Sequence, residues 1–410
     1  MAASENREQA LSRILAGKAP ADESLLRELT VALDSLTDFW IKQYLEIYIP
    51  AGGSKIKFIT GYPGSGKTHF ASIVRMEAEK RGFLTVSFSA RDVWLHDFKY
   101  IYLDIVRQCD PEQLLAACAM QVVRRMGYDP SDIPEGSRFV DLLAERGEND
   151  AMNKKTIRDN LREMFTKNPL LDNTFAQACS LLTGGLLGHP VLESTHRQTL
   201  VSWLNGDETL KAAQLRAAGL TPVKITKYNA RHLLRSLCEV IRLAGKPGLL
   251  VMIDDLDVLL NRRSGDTMRY TKMRRDDTYE SIRQLIDDID SLRNVLFLLC
   301  YDRELMDNES IGMKSYQALW LRIQNEVVST RFNCFSDIVD MDRFGEEHYS
   351  PEVLAEMSEK LAAAAAEAGA FACPLSAEET KGLKNRAAFG QLGLPYMVNR
   401  MTLEGGKDNG

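Results

Sequence analysis

The chain has 410 residues, 45% hydrophobic and 26% charged, with a formal net charge of −6. At about 100–200 residues per domain this length allows two to four domains, and the balance is that of a globular protein with a sizeable core. The acidic total excludes a globally basic nucleic-acid binder and leaves only a local patch for that role. The first residues are polar and charged, without the apolar core of a signal peptide, and no apolar run approaches the ~20 residues that span a bilayer. The expected setting is therefore the cytoplasm, with no membrane contact. The seven cysteines, Cys109, Cys118, Cys179, Cys238, Cys300, Cys334 and Cys373, are odd in number and form no close pair. They read as reduced, mostly buried thiols rather than a zinc site.

Residues 1 to 50 read as a helical segment, with Leu25, Leu26, Leu29, Val31, Leu33 and Leu36 spaced nearer to a helix than a strand. Pro50-Ala-Gly-Gly breaks the pattern, and Ile56–Thr60 is a short strand. A helix follows Thr68, with Phe70, Ile73, Val74 and Ala78 on one face and Gly82 as its terminator. Leu84–Phe88 is a second strand, which completes a βαβ unit. From about 110 to 240 the chain reads as a large helical insertion broken near Pro130, Pro134, Gly184 and Gly188. Gly248–Ile253 is a continuous apolar run, the mark of a parallel strand buried on both faces. An amphipathic helix is expected over 276–292, a further buried strand at Val295–Cys300 and a weaker one at Ile338–Met341. From Pro351 the chain is helical again, and Ser376 with Glu379 fits a capping box. The fold class expected is α/β: a P-loop NTPase, AAA+-like parallel sheet over residues 51–345, with the insertion inside it and a small helical lid at 346–410.

The segment Gly61-Tyr62-Pro63-Gly64-Ser65-Gly66-Lys67-Thr68 matches G-x-x-x-x-G-K-[ST] in full, between a strand and a helix. Its glycines let the backbone turn tightly so that N–H groups face a phosphate, and the helix N-terminus adds its positive end. Lys67 supplies a cation for the β- and γ-phosphates and Thr68 a hydroxyl for Mg²⁺, so the expected ligands are ATP and Mg²⁺. His69, next along, sits against the loop and reads as a packing or solvated residue. A metal-holding carboxylate is expected at the end of a buried strand, and Asp254 follows Ile253 there. Asp255 stands where many ATPases of this kind carry Glu to orient the attacking water. One methylene shorter, it predicts slow or altered hydrolysis. Asn153-Lys-Lys lacks the following Asp of a guanine reader and is set aside.

Several stretches resemble the P-loop ATPases of bacteriophage-exclusion (BREX) defence systems, within the AAA+ class. They are Gly61–Phe70, Ser87–Asp92, Leu95–Tyr102, Trp203–Gly206, Asn229–Leu237 and Gly245–Asp255, and together they extend over roughly residues 50–330. The resemblance implies an ATPase acting in anti-phage defence beside other proteins, often a methyltransferase, a helicase or a nuclease. AAA+ proteins place a polar sensor at the end of the strand beside the metal-carboxylate strand, here Asp302, although Asp302 also fits as a cap of the next helix. They place an arginine finger before the fifth strand, where Arg331 stands, with Arg322 as the second candidate and an idle surface arginine as the competing reading for each. Such a finger would complete the site between subunits of a homo-oligomer. The lid has Pro395-Tyr396 where the family pattern has Pro-Arg, and Arg400, one helical turn on, is the candidate second sensor.

The segment Asn261–Arg275 holds Arg262, Arg263, Arg269, Lys272, Arg274 and Arg275 against Asp266 alone. It is a candidate DNA contact, with Tyr270 able to stack on a base; a solvated loop is the competing reading. Three functions remain open: an ATP-driven motor or switch in a defence complex, a nucleotide-dependent adaptor that hydrolyses slowly, and a DNA-loading ATPase of the transposition or replication-initiation type.

Overall fold

The computed structural model describes residues 7–261, 268–327 and 332–405. Five parallel strands form one sheet: β1 (Ser54–Gly61), β2 (Leu84–Ser89), β3 (Leu249–Asp254), β4 (Val295–Asp302) and β5 (Ile338–Asp340), in the order β2-β3-β4-β1-β5. The non-sequential order puts β4 between β1 and β3, so the strand ends carrying Gly61, Asp254 and Asp302 lie side by side. Ligands of open parallel sheets bind beyond such carboxyl ends.

Alternation along the strands sends side chains to both faces, and both are covered. Val251, Ile253, Val295, Phe297 and Leu299 join a large core with the helices of the insertion. Leu250, Met252, Leu296, Leu298 and Cys300 join Phe70 and Val74 of helix Lys67–Lys80, Trp40 and Tyr44 of the N-terminal segment, and Phe344, Leu354 and Leu394 near the C-terminus. Helices Arg7–Leu15, Pro351–Glu367 and Leu394–Glu404 share a smaller core of Leu11, Ile14, Leu361, Ala365 and Leu403, so the two ends of the chain pack together.

The five strands fall where the sequence places them: β1, β2 and β4 are extended by one to three residues, β3 is shifted by one and β5 is shortened by one. The helix expected over 276–292 instead runs Lys272–Asp287, because Thr271 accepts the Arg274 N–H as its N-cap, and Ile289–Ser291 forms a separate 3₁₀ turn. Between β2 and β3 the described residues are helical or irregular. The Ser376–Glu379 capping box is present. Five of the seven cysteines are buried, Cys334 is half-buried and Cys373 exposed. Burial pushes the Cys118 and Cys238 thiols up to about 12, which keeps them protonated. Among the described residues no helix is long and apolar enough to cross a membrane.

Candidate nucleotide site

The loop between β1 and helix Lys67–Lys80 is shaped by backbone that only glycine adopts freely: Gly64 has φ +76° and Gly66 +95°. Its first turn is fixed from outside. Tyr62 N–H donates to Asp342 Oδ2 at 2.8 Å, and Arg303 binds both Asp342 and Asp340 while its guanidinium lies 5.2 Å over the Tyr62 ring. Burial raises the Asp342 carboxyl against the opposing pull of Arg303. Ser65 Oγ is buried, with no partner among the described residues.

Lys67 Nζ donates to the carbonyls of Gly61 (3.1 Å) and Tyr62 (2.9 Å) and pairs with Asp302 Oδ1 at 2.9 Å. Thr68 Oγ1 donates to Asp254 Oδ2 at 2.8 Å, and Asp254 Oδ1 accepts the Asp255 N–H. Burial, then the neighbouring Asp255, raises the Asp254 carboxyl above its usual range. Asp254 and Asp302 thus share one cation, Lys67, while Asp255 is met by Arg91. A hydroxyl and carboxylates with surplus negative charge form a donor set that suits Mg²⁺, a hard ion that takes oxygen ligands and keeps several waters. Thr68 and Asp254 would hold it.

Asp255 departs from ordinary backbone, with φ +59° and ψ 32°. That left-handed conformation is uncommon outside glycine. Its carboxylate is engaged: Ser89 Oγ donates to Oδ2 at 2.7 Å, and Arg91 Nε lies 3.4 Å from Oδ1 while Arg91 Nη2 binds Asp257 at 2.7 Å.

These groups border a cavity of about 680 Å³. One wall is the loop with Asp254, Asp255 and Asp302. The other comes from the two ends of the chain: Arg13 to Pro20 and Val31 from the N-terminal segment, and Tyr396 and Asn399 from the lid helix Leu394–Glu404. The lid helix sits directly on the loop. Gly393 N–H donates to Pro63 O at 2.9 Å and Tyr396 N–H to Gly64 O at 3.2 Å. A Cβ at Gly393 would stand 2.1 Å from Ser65 N.

Of the residues the sequence nominates, Gly61 to Thr68, Asp254, Asp255 and Asp302 come together. Asp302 begins helix Arg303–Asp307 without a side-chain cap, so the capping alternative gives way to the Lys67 pair. His69 borders the cavity, and its Nε2 shares a 2.8 Å hydrogen bond with Thr30 Oγ1; burial lowers its pKa to about 4. Arg400 does not border the cavity: it is exposed and pairs with Glu404 at 2.6 Å. Arg322 lies on helix Gln317–Val327, paired with Asp287 at 3.1 Å. Arg331, Arg262 and Arg263 lie outside the described residues.

The basic segment needs correction at two positions. Tyr270 is 1% exposed, and its hydroxyl accepts the Leu95 N–H, so it offers no ring to a base. Arg275 is buried, with Nε donating to Leu259 O and Nη2 to Tyr270 O, so it offers no charge to a phosphate. The run of cations hides a helix start at Thr271, which turns Tyr270 and Arg275 inward. Sequence reasoning missed Asp342 and Asn399 and gave Ser89, Arg91 and Tyr396 no role at the site, although Tyr396 stood out as a departure from the family pattern; each reaches the site through tertiary packing that no local pattern encodes.

A five-stranded parallel sheet, with this loop at the end of β1 and carboxylates at the ends of its neighbours, is consistent with a P-loop NTPase-like fold. The chain belongs to the family of BREX system ATP-binding proteins BrxC/D, whose sequence profile matches residues 4–387. Membership brings ATP binding, a role in phage defence and other proteins of that system as partners. No curated protein and no solved structure matches the chain.

Proposed function

We propose that this protein is an AAA+-like ATPase that binds ATP with Mg²⁺ in the 680 Å³ cavity, hydrolyses it slowly and acts as a motor or switch in a cytoplasmic anti-phage complex. The observation that carries the reading is the 2.8 Å contact of Thr68 Oγ1 with Asp254 Oδ2, which joins the end of the loop to the end of the carboxylate strand. The loop's N–H groups and Lys67 receive the β- and γ-phosphates. Mg²⁺ held by Thr68 and Asp254 would neutralise charge on those phosphates. Asp255 orients the attacking water, and Asp302 holds Lys67 in register. The base and ribose occupy the wall built by the chain ends, under Tyr396 and Asn399.

The functional units on this reading are an N-terminal segment (1–50), an ATPase core (51–345, with its insertion at about 110–240) and a lid (346–410). A homo-oligomer would bring in an arginine from a neighbouring subunit, Arg331 or Arg322.

One feature favours the slow, adaptor-like form of this activity over a fast motor. Both Asp255 oxygens face partners, Ser89 and Arg91, so the carboxylate has to leave them before it can position water. The test is phosphate release beside calorimetric binding of an ATP analogue. Asp255→Asn should abolish turnover and leave binding intact, whereas Ser89→Ala should raise turnover. Turnover unchanged in Asp255→Asn would remove Asp255 from the reaction.

A further inference from the structure

We propose that the surface formed by Trp94, His96, Tyr100 and Arg274 is a binding site for single-stranded nucleic acid. The loop after β2 carries Trp94 and His96, and Tyr100 follows on helix Phe98–Gln108. Their rings succeed one another along the surface without being parallel: Trp94 meets His96 edge to face at 5.2 Å between centroids and 82°, and His96 to Tyr100 is 6.1 Å at 50°. At the Trp94 end, the Arg274 guanidinium lies 4.5 Å over the indole. Tyr270 buttresses the row from inside, 5.2 Å from Trp94, with its hydroxyl accepting the Leu95 N–H. The residue that the basic segment seemed to offer to a base is thus the support, and Trp94, His96 and Tyr100 are the rings it holds up.

The outward side is open. Tyr100 is 41% exposed, Arg274 is exposed, and Arg269, Lys272 and the 73%-exposed Met273 flank it. Among the described residues Arg269, Lys272 and Arg274 take part in no ion pair. The nearby acids are partly engaged: Asp97 accepts the Lys99 N–H as a helix cap, and Glu208 pairs with Lys99. Asp97 and Asp277 both lie close enough to act on the His96 imidazole, opposite in sign to Arg274, so the surface carries acids beside its cations.

Aromatic faces and guanidinium planes attract unstacked bases, and unpaired cations attract the phosphates between them. In a duplex the base faces are already stacked, so a row of rings gains nothing from it, whereas cations alone would bind either form. Rings and cations in one surface select the single strand. DNA and RNA share this chemistry, and the site does not depend on the nucleotide reading.

The test is fluorescence anisotropy of labelled oligo-dT and oligo-U strands of about 16 nucleotides, with a duplex of the same length as comparison, using the full chain with and without an ATP analogue. The expected result is single-strand binding tighter than duplex binding, with oligo-dT or oligo-U preference identifying DNA or RNA. Tyr100→Ala and Arg274→Ala should each weaken it by about five- to 150-fold. Arg274→Lys should weaken it too, because an ammonium keeps the charge and loses the plane. Trp94→Phe should bind and Trp94→Ala should not. ATP-analogue affinity in Tyr100→Ala should match the parent, which separates this site from the nucleotide cavity. No binding of either strand by the parent at low salt, equal affinity for the duplex, or unchanged affinity in both Tyr100→Ala and Arg274→Ala would overturn the proposal; the last would leave a protein as the occupant.

Discussion

Lys67 Nζ is held 2.9 Å from Asp302 Oδ1, so the cation meant for the phosphates has a carboxylate partner. Incoming phosphate must compete with that carboxylate. Asp302→Asn keeps the shape and removes the competing charge, and the expected outcome is several-fold tighter binding of an ATP analogue. Lys67→Ala should weaken binding by about 10- to 150-fold, the worth of a hydrogen bond to a charged group. Calorimetry checks both, and a Lys67→Ala protein with parental affinity would reject the loop as the phosphate site.

Gly393→Ala adds one methyl group where Ser65 N stands 2.1 Å away. The backbone there, at φ −69°, tolerates alanine, so the effect is steric alone. The lid must lift off the loop, at about 1–3 kcal/mol. Lower thermal stability together with weaker ATP-analogue binding is expected. Weaker stability with unchanged affinity would show that the lid does not shape the cavity.

Arg303 pairs with Asp340 and Asp342, both largely buried; Arg343 shares Asp340 at 3.4 Å, so Asp342 is the carboxylate that depends on Arg303. Removing one partner of a buried ionic cluster leaves uncompensated charge, so Arg303→Met should destabilise the fold by about 3–5 kcal/mol in denaturant titration. Asp342→Asn should cost less, since the amide oxygen still accepts the Tyr62 N–H. Equal losses would mean that the Asp342 charge, and not the hydrogen bond to the loop that the amide keeps, is what matters.

His69 gives a pH signature. Its folded pKa of about 4 lies below the usual 6.5, because burial disfavours the imidazolium. The unfolded chain therefore binds the proton more readily, and the contribution present above pH 6.5 is lost as pH falls towards 4. Between pH 7 and pH 5 the loss is about 2 kcal/mol. His69→Gln should flatten this part of the stability–pH curve, as read by urea unfolding at the two pH values. A curve of unchanged slope would assign the acid sensitivity to other groups.

What the sequence makes legible is the local part of the molecule. The loop, its strand and its helix follow one another between Ser54 and Lys80, each with its own pattern, and Asp254 ends an unbroken apolar run. The strand order was partly legible: the AAA+ resemblance implies β4 beside β3, as is found. The walls were not. Leu25, Leu26 and Leu29 announce helices, but nothing in their spacing says that Arg13 to Pro20 face a phosphate loop 40 residues later. Arg400 shows the same limit from the other side. At about 100° per residue it stands on the same side of the helix as Tyr396, as does Asn399 on the other flank, but Asn399 borders the cavity whereas Arg400 turns away to pair with Glu404. Tyr270 and Arg275 mislead because composition reports charge and aromaticity, whereas burial is decided by Asn261 and Leu259, whose groups bind them.

The packing of the first helix against the last has a consequence for how the protein is made. During synthesis the phosphate loop emerges early and its helix can wind at once, but Tyr396 and Asn399 leave the ribosome some 330 residues after Thr68. Until then the loop is open to water on the side that Arg13 to Pro20 and the lid later share. A nascent or truncated chain can therefore show the loop's local structure without a finished cavity, and nucleotide binding would mark the moment at which the whole chain has folded. Contacts of such long sequence separation also slow folding, because the loop-closure entropy must be met before the contacts form. Ligand present during refolding should then act late, trapping the completed fold rather than speeding its first steps.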